Sequence, residues 1–120
     1  MNAKLIATIC HEADRAYCRA LGADAPQAWV STPEFKRKET FAAVCAVVAD
    51  PDSTPRTVHE AWVAQKLEDG WEFGPTNDEE AKTHPLMVPY SELNEAQRVE
   101  DELFTAIVRA LAPQKEAASV

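Results

Sequence analysis

The chain of 120 residues carries 20 acidic against 12 basic side chains, a net charge of −8. That length is one domain, and that charge argues against general nucleic-acid binding, which needs a basic face to neutralise phosphates. No window approaches the eighteen apolar residues of a membrane span, and 46% hydrophobic content with three glycines predicts a compact, helix-rich globule.

The first helix is predicted from about Lys4 to Leu21 and is closed by Gly22, the usual residue just past a helix C-terminus. Its opening, MNAKLIATIC, is too short an apolar run for a signal peptide and continues straight into HEADR. Cys10, Cys18 and Cys45 are odd in number and lie in apolar helical settings, which predicts free thiols in a reducing compartment, hence a cytoplasmic protein. Residues 24–31 read as a loop holding Trp29. Thr32-Pro33-Glu34 then supplies an N-cap, a proline at the first helical position and an acid in the first turn. The second helix runs to about Ala49; its FAAVCAVV stretch is apolar on nearly every side and is expected at the centre of the fold.

Thr54-Pro55 repeats the start signal for a third helix that ends at Gly70. Residues 71–93, with prolines at 75, 85 and 89, are expected to be irregular. Asn94 with Gln97 three residues on is a capping box for a last helix reaching about Leu111, and 113–120, PQKEAASV, reads as a flexible tail. The expected class is all-α, with residues 1–112 as a single domain of about four helices.

His11-Glu12-Ala13 and His59-Glu60-Ala61 are the same tripeptide, and Gly22 and Gly70 each follow the histidine by eleven residues. A degenerate duplication is the reading. Two such units pack about a pseudo-twofold axis and leave a groove between equivalent faces. On the third helix His59, Trp62 and Lys66 share one face, and on the first His11, Arg15 and Cys18 do. Trp71 projects from the turn after Gly70, and Gly74-Pro75 turns the chain again. Two accounts of these tryptophans stand: core anchors, or an aromatic wall beside Lys66 suited to a flat ring and an anion. Pro85 forces His84 out of helical geometry, so Lys82 and His84 sit on an extended segment able to face a groove, with Tyr90 at the next turn. Backbone-bonded His84 and core Tyr90 are the plainer alternatives. Arg15, Lys66 and Lys82, with Lys36 or Arg56, are expected around one concavity.

The run VHEAWVAQKLEDGWEFGPTNDEEAKTHPLMVPYSELNEAQRVEDELF, residues 58–104, closely resembles the ryanodine-receptor repeat domain, the RyR domain. The resemblance lies in His-Glu-x-Trp, a lysine followed by Gly-Trp-x-x-Gly-Pro, Lys-x-His-Pro, and Val-Pro-Tyr-x-x-Leu before a charged helix. HEADRAYC, Leu21-Gly22 and Trp29 are similar to the N-terminal extension of short phage and prophage members. Thr76-Asn77 stands where many members carry a lysine, and Leu86 where a cysteine is frequent; the first removes a candidate phosphate contact. The resemblance implies a helical domain that binds a nucleotide-derived signal, a cyclic nucleotide or an ADP-ribose derivative, in phage–bacteria immune signalling. The spacings above give the candidate ligand site as His11, Arg15, His59, Trp62, Lys66, Trp71, Lys82, His84 and Tyr90.

No cofactor and no metal is expected: the spacings of His11, His59 and His84 match no CxxC or HExxH pattern. Apolar settings favour inert cysteines, and three glycines build no phosphate loop, so an enzyme is not expected; a hydrolase acting on a nucleotide signal is the lesser alternative. With no second domain read in the sequence, a binder would act by sequestration, in the host cytoplasm if phage-encoded. The alternative is a protein-interaction or structural module without a small-molecule ligand. A homo-oligomer is left open.

Overall fold

The computed structural model describes residues 1–112, and the tail expected at 113–120 lies outside the described residues. Among the described residues there are four helices: α1 (Ala3–Ala20), α2 (Glu34–Ala49), α3 (Pro55–Glu68) and α4 (Glu95–Leu111). Their starts follow local chemistry. Asn2 accepts the Leu5 N–H at 2.9 Å to open α1. Thr54 with Thr57, and Asn94 with Gln97, form reciprocal capping boxes for α3 and α4. The start of α2 differs from expectation. Thr32 is not its cap; its N–H closes a 3-10 turn at Trp29–Ser31 and its hydroxyl donates to the Ala28 carbonyl at 2.9 Å, so Pro33 takes the cap position with no side-chain bond.

Segment 71–93 is more ordered than its prolines suggest. β1 (Glu72–Phe73) pairs in parallel with β2 (Thr83–His84), and a second 3-10 turn, Tyr90–Glu92, leads into α4. Gly74 is required here by close approach: a Cβ on it would lie 2.6 Å from the Thr83 Cβ.

The core joins Ile6, Ala7 and Cys10 of α1, Val44 and Val47 of α2, and Val108 of α4. Ile6, Val44 and Val108 are fully buried, each contributing about 1.5–3 kcal/mol relative to exposure. α2 is not the central helix. Val44 and Val47 face inward, but Phe35 and Val48 remain 48% and 42% exposed, so its apolar run has an outward side. The central place falls to α4, which packs on all three others, whereas α2 and α3 meet far less closely than α1 and α4.

The duplication is written into equivalent contacts. His11 Nε2 donates to the Gln27 carbonyl at 2.6 Å, and His59 Nε2 to the Val88 carbonyl at 2.7 Å. Each carbonyl lies two residues ahead of the aromatic that opens a 3-10 turn, and each imidazole packs on that ring, Trp29 at 5.3 Å and Tyr90 at 6.0 Å. Gly22 and Gly70 take φ of 74° and 88°. Past them, the Ala23 N–H reaches the Cys18 carbonyl at 3.0 Å and the Trp71 N–H reaches that of Lys66 at 2.9 Å, the same helix-closing bond twice. Across the units, Cys18 of α1 meets Glu100 of α4 while Lys66 of α3 meets Glu39 of α2; the two glutamates stand ten residues past Tyr90 and Trp29. The second connection is the longer one, and its extra length holds the β1–β2 element.

Candidate functional site

Where α2 and α3 stand apart, a cavity of about 160 Å³ opens. Thr32, Lys36, Glu39 and Thr40 line it from α2 and its lead-in, His11 from α1, Trp62 and Lys66 from α3, and Trp71, Asn77 and His84 from the long connection. A shallower depression beside it is bounded by Lys36 and residues 76–80.

Lys66 is the centre of this arrangement. Its side chain is 6% exposed, and its Nζ lies 2.9 Å from Glu39 Oε2. The same ammonium sits 4.2 Å from the Trp71 ring centre and 5.9 Å from that of Trp62. The helix-closing bond explains the geometry: with Gly70 in the left-handed region, the Trp71 N–H returns to the Lys66 carbonyl and the indole folds over the Lys66 side chain. Trp71 is therefore both a wall of the cavity and a lid on Lys66. A desolvated ammonium on an indole face gains about 2 kcal/mol.

His84 joins the two tryptophans, edge-on to Trp62 at 4.8 Å and tilted to Trp71 at 6.5 Å. The Leu86 N–H donates to His84 Nδ1 at 3.1 Å, which places the ring hydrogen on Nε2. Burial, then Lys66 and Lys36, push its pKa down to about 4. At neutral pH His84 is an uncharged hydrogen-bond donor and not a phosphate-binding cation. Thr40 donates its hydroxyl to the Lys36 carbonyl at 3.1 Å, so it offers lone pairs to the cavity. Lys36 pairs with Glu79 of the long connection at 3.2 Å.

Five of the residues singled out in the sequence thus meet here: His11, Trp62, Lys66, Trp71 and His84. The other four lie elsewhere. Arg15 donates to the Pro26 carbonyl at 3.2 Å and pairs with Glu12 at 3.3 Å. His59 is 4% exposed and packs under Trp62 and Tyr90, with its Nδ1 3.8 Å from Asp101. Lys82, at φ 57°, turns its Nζ onto the Asp69 carbonyl at the end of α3, 2.9 Å away. Tyr90 stacks beneath the Arg56 guanidinium at 5.2 Å. The expected gathering of Arg15, Lys66 and Lys82 does not form, because Arg15 and Lys82 are each held by a nearby carbonyl; Lys36 stands beside Lys66 instead. Thr32, Glu39, Thr40 and Asn77 were missed. Glu39 matches Glu100 when the two units are aligned on Trp29 and Tyr90, but the contact each makes is set by helix packing and not by that spacing.

The equivalent junction between α1 and α4 has diverged. Where the cavity has Trp62, Lys66 and Thr40, this side has Asp14, Cys18 and Asp101 at matching positions, and the Cys18 thiol donates to Glu100 at 3.3 Å. Burial and the Asp14 carboxyl raise Glu100 to about 7; burial raises Asp101 to about 6, against the pull of His59. Burial, with the Asp14 and Glu100 carboxyls, pushes the Cys18 thiol up to about 12. One junction is acidic; the other is aromatic, carries cations and opens to a cavity.

Two helix–loop–helix units with a groove between them define a duplicated all-α domain. The family model of the RyR domain matches residues 51–112, just over half of the chain, and the chain belongs to that family. The match spans α3 through α4, the unit that supplies Trp62, Lys66, Trp71 and His84. No helix among the described residues is long and apolar enough to cross a membrane.

Proposed function

We propose that this domain binds a small nucleotide-derived signal, a cyclic nucleotide or ADP-ribose derivative, in the groove between α2 and α3, and acts by sequestering it in the host cytoplasm during phage–bacteria conflict. The observation that carries the reading is the convergence of Trp62, Trp71 and His84 on one cavity with Lys36 at its edge. Uncharged flat rings suit a base, each stacked base contributing about 1–3 kcal/mol; a lysine at the rim suits a phosphate. The cavity, at about 160 Å³, is smaller than the roughly 300–1,000 Å³ of drug-sized pockets, so one ring enters and the rest of the ligand lies along the rim.

The proposed role is binding without chemistry. Burial pushes the Cys10 and Cys18 thiols up to about 11 and 12, so neither supplies a thiolate nucleophile near neutrality. A second reading, a protein-interaction module, draws on the Lys66 ammonium that covers one face of Trp71, and on Val30 and Phe73, 83% and 59% exposed. A thermal-shift screen against cyclic dinucleotides, cyclic trinucleotides, ADP-ribose and its cyclic isomers separates the two. A ligand of the folded state raises the midpoint by mass action, and a pure interaction module responds to none of them.

A further inference from the structure

We infer that Lys36, and not the central Lys66, takes the anionic group of the ligand, and that Glu79 is its built-in competitor. The inference rests on the binding reading above and assigns the charge recognition within it. Lys66 is the residue that spacing offers for an anion. Its surroundings are complete, however: a carboxylate at 2.9 Å, indoles at 4.2 and 5.9 Å, and almost no exposure. An incoming phosphate would have to strip Glu39 from an ammonium that is only 6% exposed and leave two negative charges side by side.

Lys36 is in the opposite situation. It lies one helical turn before Glu39 and Thr40, on the same face of α2, and borders both the inner cavity and the outer depression. Its side chain is 43% exposed, and its carboxylate partner, Glu79, is 51% exposed at 3.2 Å. Such a pair contributes little and exchanges readily. Among the described residues it is the one ion pair that ties the 74–82 segment to α2. That segment holds its own shape. Asp78 and Thr83 exchange backbone bonds at 3.0 and 3.1 Å, Asp78 Oδ1 accepts from the N–H groups of Glu80 and Ala81, and the Thr83 hydroxyl donates to the Thr76 carbonyl. Glu79 is thus presented to Lys36 by a braced loop, and neutralising Glu79 leaves the loop intact. A bound phosphate replaces Glu79 on Lys36; the displaced carboxylate turns to water.

The test compares adenosine with adenosine 5′-monophosphate, by calorimetry, on wild type, Lys36→Gln, Glu79→Gln and the double variant. Glu79→Gln should tighten the monophosphate about threefold, the scale of an exposed ion pair, and leave adenosine unchanged. Lys36→Gln should abolish the advantage of the monophosphate over adenosine, and the double variant should match Lys36→Gln. Unchanged or weaker monophosphate binding in Glu79→Gln, or a phosphate advantage surviving in Lys36→Gln, overturns the inference. If neither adenosine compound binds wild type, inorganic pyrophosphate decides the exchange by itself. It should shift the amide resonances of residues 76–81 in wild type and not in Lys36→Gln; a silent loop in wild type overturns the inference, independently of whether any base enters the cavity.

Discussion

Removing the two partners of the Lys66–Glu39 pair one at a time should give unequal losses. The Lys66 side chain is 6% exposed and that of Glu39 is 33% exposed. Glu39→Gln leaves a buried ammonium without its carboxylate. For a fully buried pair that loss is about 3–5 kcal/mol; water reaches Glu39 in part, and the two indoles still face the charge, so about 2 kcal/mol is expected. Lys66→Met removes the buried charge itself and fills the space with an apolar chain, leaving a carboxylate that solvent can reach, at a cost of about 1 kcal/mol or less. For a domain of this size the Glu39→Gln loss is about 8 °C in midpoint. Urea denaturation at neutral pH, with the double variant included, measures all three. The double variant should be more stable than Glu39→Gln alone. A Lys66→Met variant that loses as much as Glu39→Gln would refute the reasoning that Lys66 is the buried member.

The acidic junction sets a pH dependence. Glu100 and Asp101 bind protons more tightly folded than unfolded, with folded values raised to about 7 and 6, so the stability they contribute is complete below the ordinary carboxylate range and is lost as pH rises through 6–7. Glu100→Gln should therefore gain on wild type between pH 5 and pH 8 in urea midpoints; a difference that does not change with pH contradicts the assignment. His84 has the opposite sign. Its folded value near 4 means that its contribution is present above the ordinary histidine value of 6.5 and is lost as pH falls toward 4, a loss that His84→Asn should remove. Gly74→Ala places a Cβ 2.6 Å from the Thr83 Cβ. It should cost about 1–3 kcal/mol and weaken amide protection at Gly74, whose N–H bonds the His84 carbonyl. Stability equal to wild type would mean that the β1–β2 contact is looser than described.

Helix positions were readable because their signals are local: Asn94 with Gln97, Thr54 before Pro55, and glycines at 22 and 70 each act within one turn. The Thr32 cap failed for a reason beyond the local pattern. Its hydroxyl is held by the Ala28 carbonyl within a 3-10 turn whose Trp29 packs on His11, a contact between segments distant in sequence. Face arithmetic placed Trp62 and Lys66 together correctly, since both are short steps along one helix. It misplaced Arg15, whose long side chain follows the Pro26 carbonyl and not the stripe its Cα occupies. Lys82, expected on an extended segment, sits instead in a turn at φ 57° with its Nζ on the Asp69 carbonyl. Glu39 was hidden for another reason: its meeting with Lys66 depends on how α2 and α3 approach, which no single segment encodes.

Thermal denaturation of wild type and Trp71→Ala with the nucleotide panel decides whether Trp71 is a wall of a ligand site. A ligand at a hundred times its dissociation constant adds about 2.7 kcal/mol to wild type, roughly 10 °C for a domain of this size. Wild type should show that shift with at least one compound and Trp71→Ala with none, the ligand-free variant melting somewhat lower for want of its contact with Lys66. A wild type indifferent to every compound, or a Trp71→Ala variant that keeps the full shift, would contradict it.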